Sequence, residues 1–239
     1  MTTPQPLEPA LRELLLAAPT AGLSAQLRAL GIQGVSIEGV TPVRPGAKLV
    51  GVARTLRYLP LREDLFREHG GGYNAQKRLF DDVGEGEVIV IEARGDSRAG
   101  TLGDILAARA VSRGAAGIVT DGAVRDVDAL AALTMPVFAL AGHPAVLGRA
   151  HVPWEHDVTI ACGGATVQPG DVIVGDTDGV IVIPRGMVDK VVTAALVQEE
   201  EDAWVAARVS EGHPLDGLFP MNADWRARYE ASHPAGEER

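Results

Sequence analysis

Residues 87–140 read EVIVIEARGDSRAGTLGDILAARAVSRGAAGIVTDGAVRDVDALAALTMPVFAL. Glu87–Ala93 is a short apolar run rich in β-branched residues, which predicts a strand. A glycine-punctuated loop, Arg94–Gly103, follows it. Asp104–Arg113 is alanine-rich and predicts a helix stopped by Gly114. Gly117–Asp121 predicts a second strand, Val124–Leu133 a second helix and Pro136–Leu140 a third strand. Strands that alternate with short helices imply βαβ units and a parallel sheet.

Working outward, Leu7, Leu11, Leu14 and Leu15 recur at helical spacing, and Thr20 is a candidate cap for a second helix running through Leu30 to a stop at Gly31. Pro45-Gly46 marks a turn into a strand, Lys48–Tyr58. Arg62–Val83 is polar and predicts a helix only in its second half, after Gly70-Gly71-Gly72. On the other side, Gly163-Gly164, Pro169-Gly170-Asp171 and Asp178-Gly179 separate short strands between Val158 and Pro184 in the manner of antiparallel hairpins. A long amphipathic helix then places Val188, Val191, Val192, Ala195 and Leu196 on one face and ends at Gly212. The tail carries Trp225 and Tyr229, and Gly236–Arg239 is expected to fray. No repeat or linker interrupts the chain. The expectation is one α/β domain over residues 1–239, with a helical arm at 1–34 and a C-terminal helix and tail at 186–239.

The 239 residues carry 22 Lys+Arg against 32 Asp+Glu, a formal net charge of −10. This balance argues against nucleic-acid binding, which needs a clustered positive surface. No stretch approaches the roughly 20 apolar residues of a membrane span, and the first residues lack the basic start of a secretory signal. The single Cys162 can form neither an internal disulfide nor a cysteine zinc site, which fits a reducing cytoplasm. Aromatic residues are 4% of the chain, so the core must be aliphatic.

In open α/β sheets, ligands sit beyond the carboxyl ends of the parallel strands. If the first two strands pair, about 4.8 Å apart, the loops after them share one crevice. Gly103-Asp104 would arrive from one loop, and Gly122, Arg125 and Asp126 from the next. The helix start at Asp104 suits an anion. Arg125 suits a carboxylate or 2-oxo acid through a fork of hydrogen bonds, and Asp126 suits Mg²⁺ or Mn²⁺ as a hard oxygen ligand. Spacing alone favours a plainer reading, in which Asp104 and Asp126 stabilise helix starts and Arg125 pairs with one of them.

The stretch GDILAARAVSRGAAGIVTDGAVRD, Gly103–Asp126, resembles the RraA-like family, which includes metal-dependent 4-hydroxy-4-methyl-2-oxoglutarate aldolases. The likeness continues through PVFALAG (136–142), CGGATVQPGD (162–171) and GDTDGVIVIP (175–184). It implies a swivelling β/β/α sandwich, with a parallel sheet and a smaller antiparallel one. It also implies that Gly103, Asp104, Ile105 and Leu106 hold a pyruvate carboxylate, that Arg125 binds substrate and that Asp126 ligates Mg²⁺ or Mn²⁺. The activity implied is cleavage of a 4-hydroxy-2-oxo acid to pyruvate, with Asp104 and Arg125 catalytic and oxaloacetate decarboxylation as a companion. Trimers or hexamers are implied, a neighbouring subunit closing each site.

A rival reading comes from the same resemblance, because some relatives are non-catalytic regulators that bind and inhibit an RNA-degrading endonuclease. A third is a sugar-acid enzyme with the same metal site. Schiff-base chemistry is disfavoured on local grounds, since Lys48, Lys77 and Lys190 are the only lysines and none falls at a C-terminal strand end. His143 could face the crevice, although a loop histidine without a role is the simpler reading. Arg57, Arg62 and Glu63 could read the substrate's distal group. Glu199-Glu200-Glu201 could supply a carboxylate to an adjacent subunit, although a solvated helix face explains them as well. Cys162 reads as a small core residue.

Overall fold

The computed structural model describes residues 5–233, so the fraying expected of Gly236–Arg239 lies outside the described residues. The helices are α1 (Pro9–Ala17), α2 (Thr20–Ala29), α3 (Glu63–Leu65), α4 (Ala75–Asp82), α5 (Asp104–Ser112), α6 (Val127–Ala131), α7 (Val188–Ser210) and α8 (Ala223–Ser232). The strands are β1 (Ser36–Ile37), β2 (Thr41–Pro42), β3 (Leu49–Pro60), β4 (Glu87–Glu92), β5 (Gly117–Val124), β6 (Val137–Gly142), β7 (His151–His156), β8 (Ile160–Cys162), β9 (Ala165–Val167), β10 (Val172–Asp176) and β11 (Gly179–Ile183).

The main sheet runs β1-β11-β10-β3-β4-β5-β6-β2, with β7 also paired to β3. Its centre, β3-β4-β5-β6, is parallel, and the strands added at the flanks are antiparallel. The hairpin β8-β9 forms the smaller antiparallel sheet. The fold is thus mixed α/β, with helices at both ends of the chain.

Both faces of the central strands are covered, which explains apolar runs such as Val88–Ile91 in β4 and Val137–Ala141 in β6. In β4, Ile89 and Ile91 join Leu79, Phe80 and Ile118 beneath α4 and α5, while Val88 and Val90 join Phe138, Ile160 and Ile173 on the other face. A third cluster seats the terminal helices: Leu15, Leu23 and Leu27 pack with Val191, Val192 and Ala195 over Val172, Val174 and Ile181. The core is aliphatic as expected, with Tyr58, Phe80 and Phe138 its large buried rings.

Several boundaries differ from the sequence reading. The second strand extends to Val124, because Ala123 and Val124 continue the pairing with Ala141 and Gly142 of β6. Gly122 is therefore buried inside β5 rather than part of a loop, and α6 begins only at Val127. β7 was hidden by its polar and proline content, HVPWEH, which suits its position pairing the far half of β3. Arg62–Gly70 is not irregular, since Phe66–Gly70 forms a π-helical turn. Thr20 is the first residue of α2 and not its cap. Its N–H and hydroxyl instead donate to Asp176 at the end of β10, 2.9 and 2.6 Å.

Candidate functional site

The carboxyl ends of β4 and β5 open on one side of the sheet, and the segment between Ala93 and Gly103 is stitched along the end of β5. Asp121, 4% exposed, accepts from the backbone N–H groups of Ala93 (2.5 Å), Gly95 (3.0 Å) and Gly163 (3.1 Å). Thr101 donates its N–H and hydroxyl to the Ala123 carbonyl, 2.7 and 2.9 Å. The Arg125 N–H donates to the Leu102 carbonyl at 2.8 Å, and the Gly100 N–H to the Ala145 carbonyl at 3.0 Å. Gly100 pairs with Ala123 as a parallel bridge.

This stitching brings Gly103-Asp104 against Arg125-Asp126. A Cβ at Gly100 would strike Cγ of Arg125, and one at Gly103 would strike Oδ2 of Asp126. Glycine is needed at 100, where the Arg125 stem and backbone N cannot move aside, whereas a Cβ at 103 would push the Asp126 carboxylate from its place. Asp126 sits in the left-handed region, φ 56°, and makes no side-chain cap to its own helix α6. Its carboxylate turns back to the start of α5, where Oδ2 accepts from the Asp104 N–H at 3.4 Å. The free N–H groups of a helix start favour that charge.

Asp104 folds over the same helix start, its Oδ1 accepting from the Ile105 N–H at 2.8 Å. Asp104 and Asp126 are exposed and Arg125 is half-buried. Among the described residues, neither aspartate pairs with a cation, and Arg125 makes no ion pair. Both aspartates sit on a helix start, as the plainer reading expects, but Arg125 neutralises neither of them. Leu106 packs on the core, whereas Ile105 is 81% exposed.

His143 also reaches this mouth. Its N–H donates to the Val124 carbonyl at 2.9 Å, one step beyond the Val124–Gly142 pair, which sets it beside Arg125. Its Nδ1 accepts from the Ala145 N–H at 3.0 Å. The remaining candidates lie elsewhere in other roles. Arg57 pairs with Glu92 (3.2 Å) and Glu155 (2.8 Å), and Arg62 with Asp64 (2.7 Å). Glu63 begins α3 and makes no ion pair among the described residues. Within the chain, Glu199 lies against Gly22 of α2, Glu200 is 3.9 Å from His233, and Glu201 pairs with Arg226 at 2.6 Å. Lys48 donates to the Leu16 carbonyl and Lys77 to that of Gly72, so both ammonium groups are engaged away from the mouth. Cys162 is fully buried, and burial pushes its thiol well above the usual value.

No group of three His, Cys, Asp or Glu side chains gathers as a metal cage among the described residues. A lone carboxylate still fits Mg²⁺ or Mn²⁺, which keep most of their waters and use one or two protein ligands. Asp126 offers such a ligand, since it is exposed, free of a cationic partner and pressed into a cradle that a Cβ at Gly103 would fill.

The family model "RraA-like: Aldolase/RraA" matches residues 20–182. The chain belongs to the RraA-like family. A Halalkalibacterium halodurans protein named "Putative 4-hydroxy-4-methyl-2-oxoglutarate aldolase" is 34% identical over 168 residues, covering 68% of this chain and 72% of its own. Among solved structures, an uncharacterized protein from Pseudomonas syringae pv. tomato superposes with a TM-score of 0.80 at 26% identity, covering 93% of this chain and 98% of the other. Streptomyces coelicolor RraAS2, described as an unusual member of the RNase ES inhibitor RraA protein family, superposes with a TM-score of 0.77 at 32% identity, covering 85% and 98%. RraA-like membership thus agrees with the mixed α/β architecture and with the likeness carried by Gly103–Asp126.

Signals that the sequence reading missed are mostly backbone ones. Asp121 sits in a strand and reads as an ordinary strand end, yet it clamps three N–H groups. Gly100 lies in a glycine-punctuated loop, but nothing in that pattern says that it faces an arginine stem.

Proposed function

We propose that this RraA-like protein is a divalent-metal-dependent lyase that cleaves a 4-hydroxy-2-oxo acid to pyruvate and also decarboxylates oxaloacetate. The observation that carries the reading is the unpaired Arg125 beside the unpaired Asp126 at the start of α5. Two charges without ionic partners on adjacent residues, each packed close against a glycine of the loop after β4, suit a ligand that completes them.

Asp126 would hold the cation. A bound Mg²⁺ or Mn²⁺ supplies Lewis-acid polarisation of the substrate's 2-oxo and carboxylate oxygens. The helix start at Gly103–Leu106 would receive the carboxylate of the pyruvyl half once it displaces the Asp104 and Asp126 carboxylates from the Ile105 and Asp104 N–H groups. Arg125 forks onto the same half and opposes the negative charge that develops there. Asp104 orients a water that takes the 4-hydroxyl proton. The electron pair of the C3–C4 bond then passes to the pyruvyl half as an enolate, C4 becomes a carbonyl, and protonation at C3 completes pyruvate. Oxaloacetate loses CO₂ through the same enolate, without needing the hydroxyl proton transfer.

We further propose a trimer or hexamer in which a second copy covers the exposed Ile105 beside the mouth, in a reducing cytoplasm that suits the buried thiol of Cys162. The test is pyruvate release from 4-hydroxy-2-oxo acids and oxaloacetate, in Mg²⁺, in Mn²⁺ and in excess chelator. Turnover should require the metal, and turnover unchanged in chelator would refute the mechanism. The likeness to RraAS2 and the net charge of −10 favour a second reading, inhibition of an RNA-degrading endonuclease. A protein inert in every pyruvate assay that nevertheless inhibits such an enzyme would establish that reading instead.

A further inference from the structure

The loop that delivers Gly100–Gly103 rests on a buried polar network in which the proposed reaction has no part. Its first residue, Arg94, has φ 61° and donates from Nη1 to the Tyr58 carbonyl at 2.6 Å. Its Nη2 lies 3.4 Å from Nδ1 of His151, which is fully buried at the start of β7. The His151 ring lies 5.7 Å from that of Tyr58, centroid to centroid. At the other end of the loop, the Tyr58 hydroxyl donates to the Thr101 carbonyl at 3.1 Å, and the Gln76 amide donates to both the Tyr58 hydroxyl and the Thr101 carbonyl at 2.6 Å. Both ends of the loop therefore converge on Tyr58, and the Arg94 end also on His151.

The protonation state of His151 follows from its partner. Arginine has no acceptor, so Nδ1 must present its lone pair, and the neutral ring carries its hydrogen on Nε2. That buried nitrogen makes no hydrogen bond of full geometry among the described residues, and the Ala99 backbone is the polar group that faces the ring.

We infer that His151 is a positioning residue: as a neutral acceptor it holds Arg94, and through Arg94 it fixes the path by which the loop brings Gly103 and Asp104 to Asp126. The charged and titratable groups facing it are Arg94, Asp96 and Arg98 from the loop and Tyr58 from β3, with uncharged Gln76 behind Tyr58 on α4. Protonation at Nδ1 would set one N–H against another beside a guanidinium. Burial first, and then Arg94, lower the His151 pKa from 6.5, and both favour the neutral ring. Control of the loop stands on these contacts alone. Its consequence for turnover rests on the lyase reading.

The test is amide hydrogen exchange of residues 94–103 in the full chain between pH 5 and 8, corrected for intrinsic rates, in wild type, His151→Asn and His151→Leu. The asparagine oxygen replaces Nδ1 as an acceptor and cannot titrate. Wild type should exchange roughly tenfold faster at the acid end than at neutrality. His151→Asn should stay protected throughout, and His151→Leu should be exposed at every pH. The kcat for pyruvate release should follow the same pattern, with the acid decline missing in His151→Asn. The proposal is overturned if wild-type protection does not change with pH, or if His151→Asn keeps the wild-type dependence. Should the leucine variant fail to fold, the asparagine variant still decides. The expected exchange pattern in a protein that releases no pyruvate would overturn the lyase reading and leave His151 in place.

Discussion

Arg125 and Asp126 share one turn but make different demands on it. Arg125 must keep a planar fork, so Arg125→Lys should lower kcat/KM by about 10²-fold although the charge remains. Asp126→Ala should leave no metal-dependent pyruvate release above background. Gly103→Ala changes no charge, yet its new Cβ would meet the Asp126 carboxylate. The variant should fold with an almost unaltered melting curve and lose affinity for Mn²⁺, read by titration calorimetry. At this scale the residue types were legible from the sequence, since an aspartate, an arginine and a second aspartate at consecutive helix starts stand out. What spacing left open was whether Arg125 is spent on an internal ion pair. That depends on the left-handed turn at Asp126, which points its carboxylate at α5 and away from α6.

The strand-end loops hold their shape through side chains buried in the strands themselves. Asp121→Ala would strand three backbone N–H groups, those of Ala93, Gly95 and Gly163. Urea unfolding should show a loss of roughly 2–4 kcal/mol, with activity falling as well because the loop after β4 loses its anchor. Strands β4 and β6 were readable because burial on both faces leaves apolar runs, β5 from its β-branched start Ile118-Val119-Thr120, and α5 because alanine-rich sequence ends at Gly114. β7 was not readable, since a strand with histidine, proline, tryptophan and glutamate lacks both alternation and an apolar run. The cap of α2 also escaped notice because its carboxylate, Asp176, comes from 156 residues away in the chain. Contacts of that separation leave no local trace.

Across the whole molecule, the buried His151 and the half-buried Asp157 each make stability depend on acid pH. His151 has a folded-state pKa below 6.5, so its contribution is complete above that value and is lost as the pH falls toward the folded pKa. Burial raises Asp157, but hydrogen bonds from Arg54 and His156 outweigh it and hold the carboxyl below 3.8, so its contribution disappears only at lower pH. Thermal midpoints should therefore begin to fall near pH 6.5, and His151→Asn should remove this first decline while keeping the second. The central claim is that the joined strand ends make one site for a cation and a 2-oxo acid. Mn²⁺ occupancy and oxaloacetate decarboxylation, measured on the same samples of wild type and Asp126→Ala, test it most directly. Wild type should bind the ion and turn over only with it, and the variant should do neither. Undiminished turnover in wild type stripped of metal, or both properties surviving in Asp126→Ala, would contradict it.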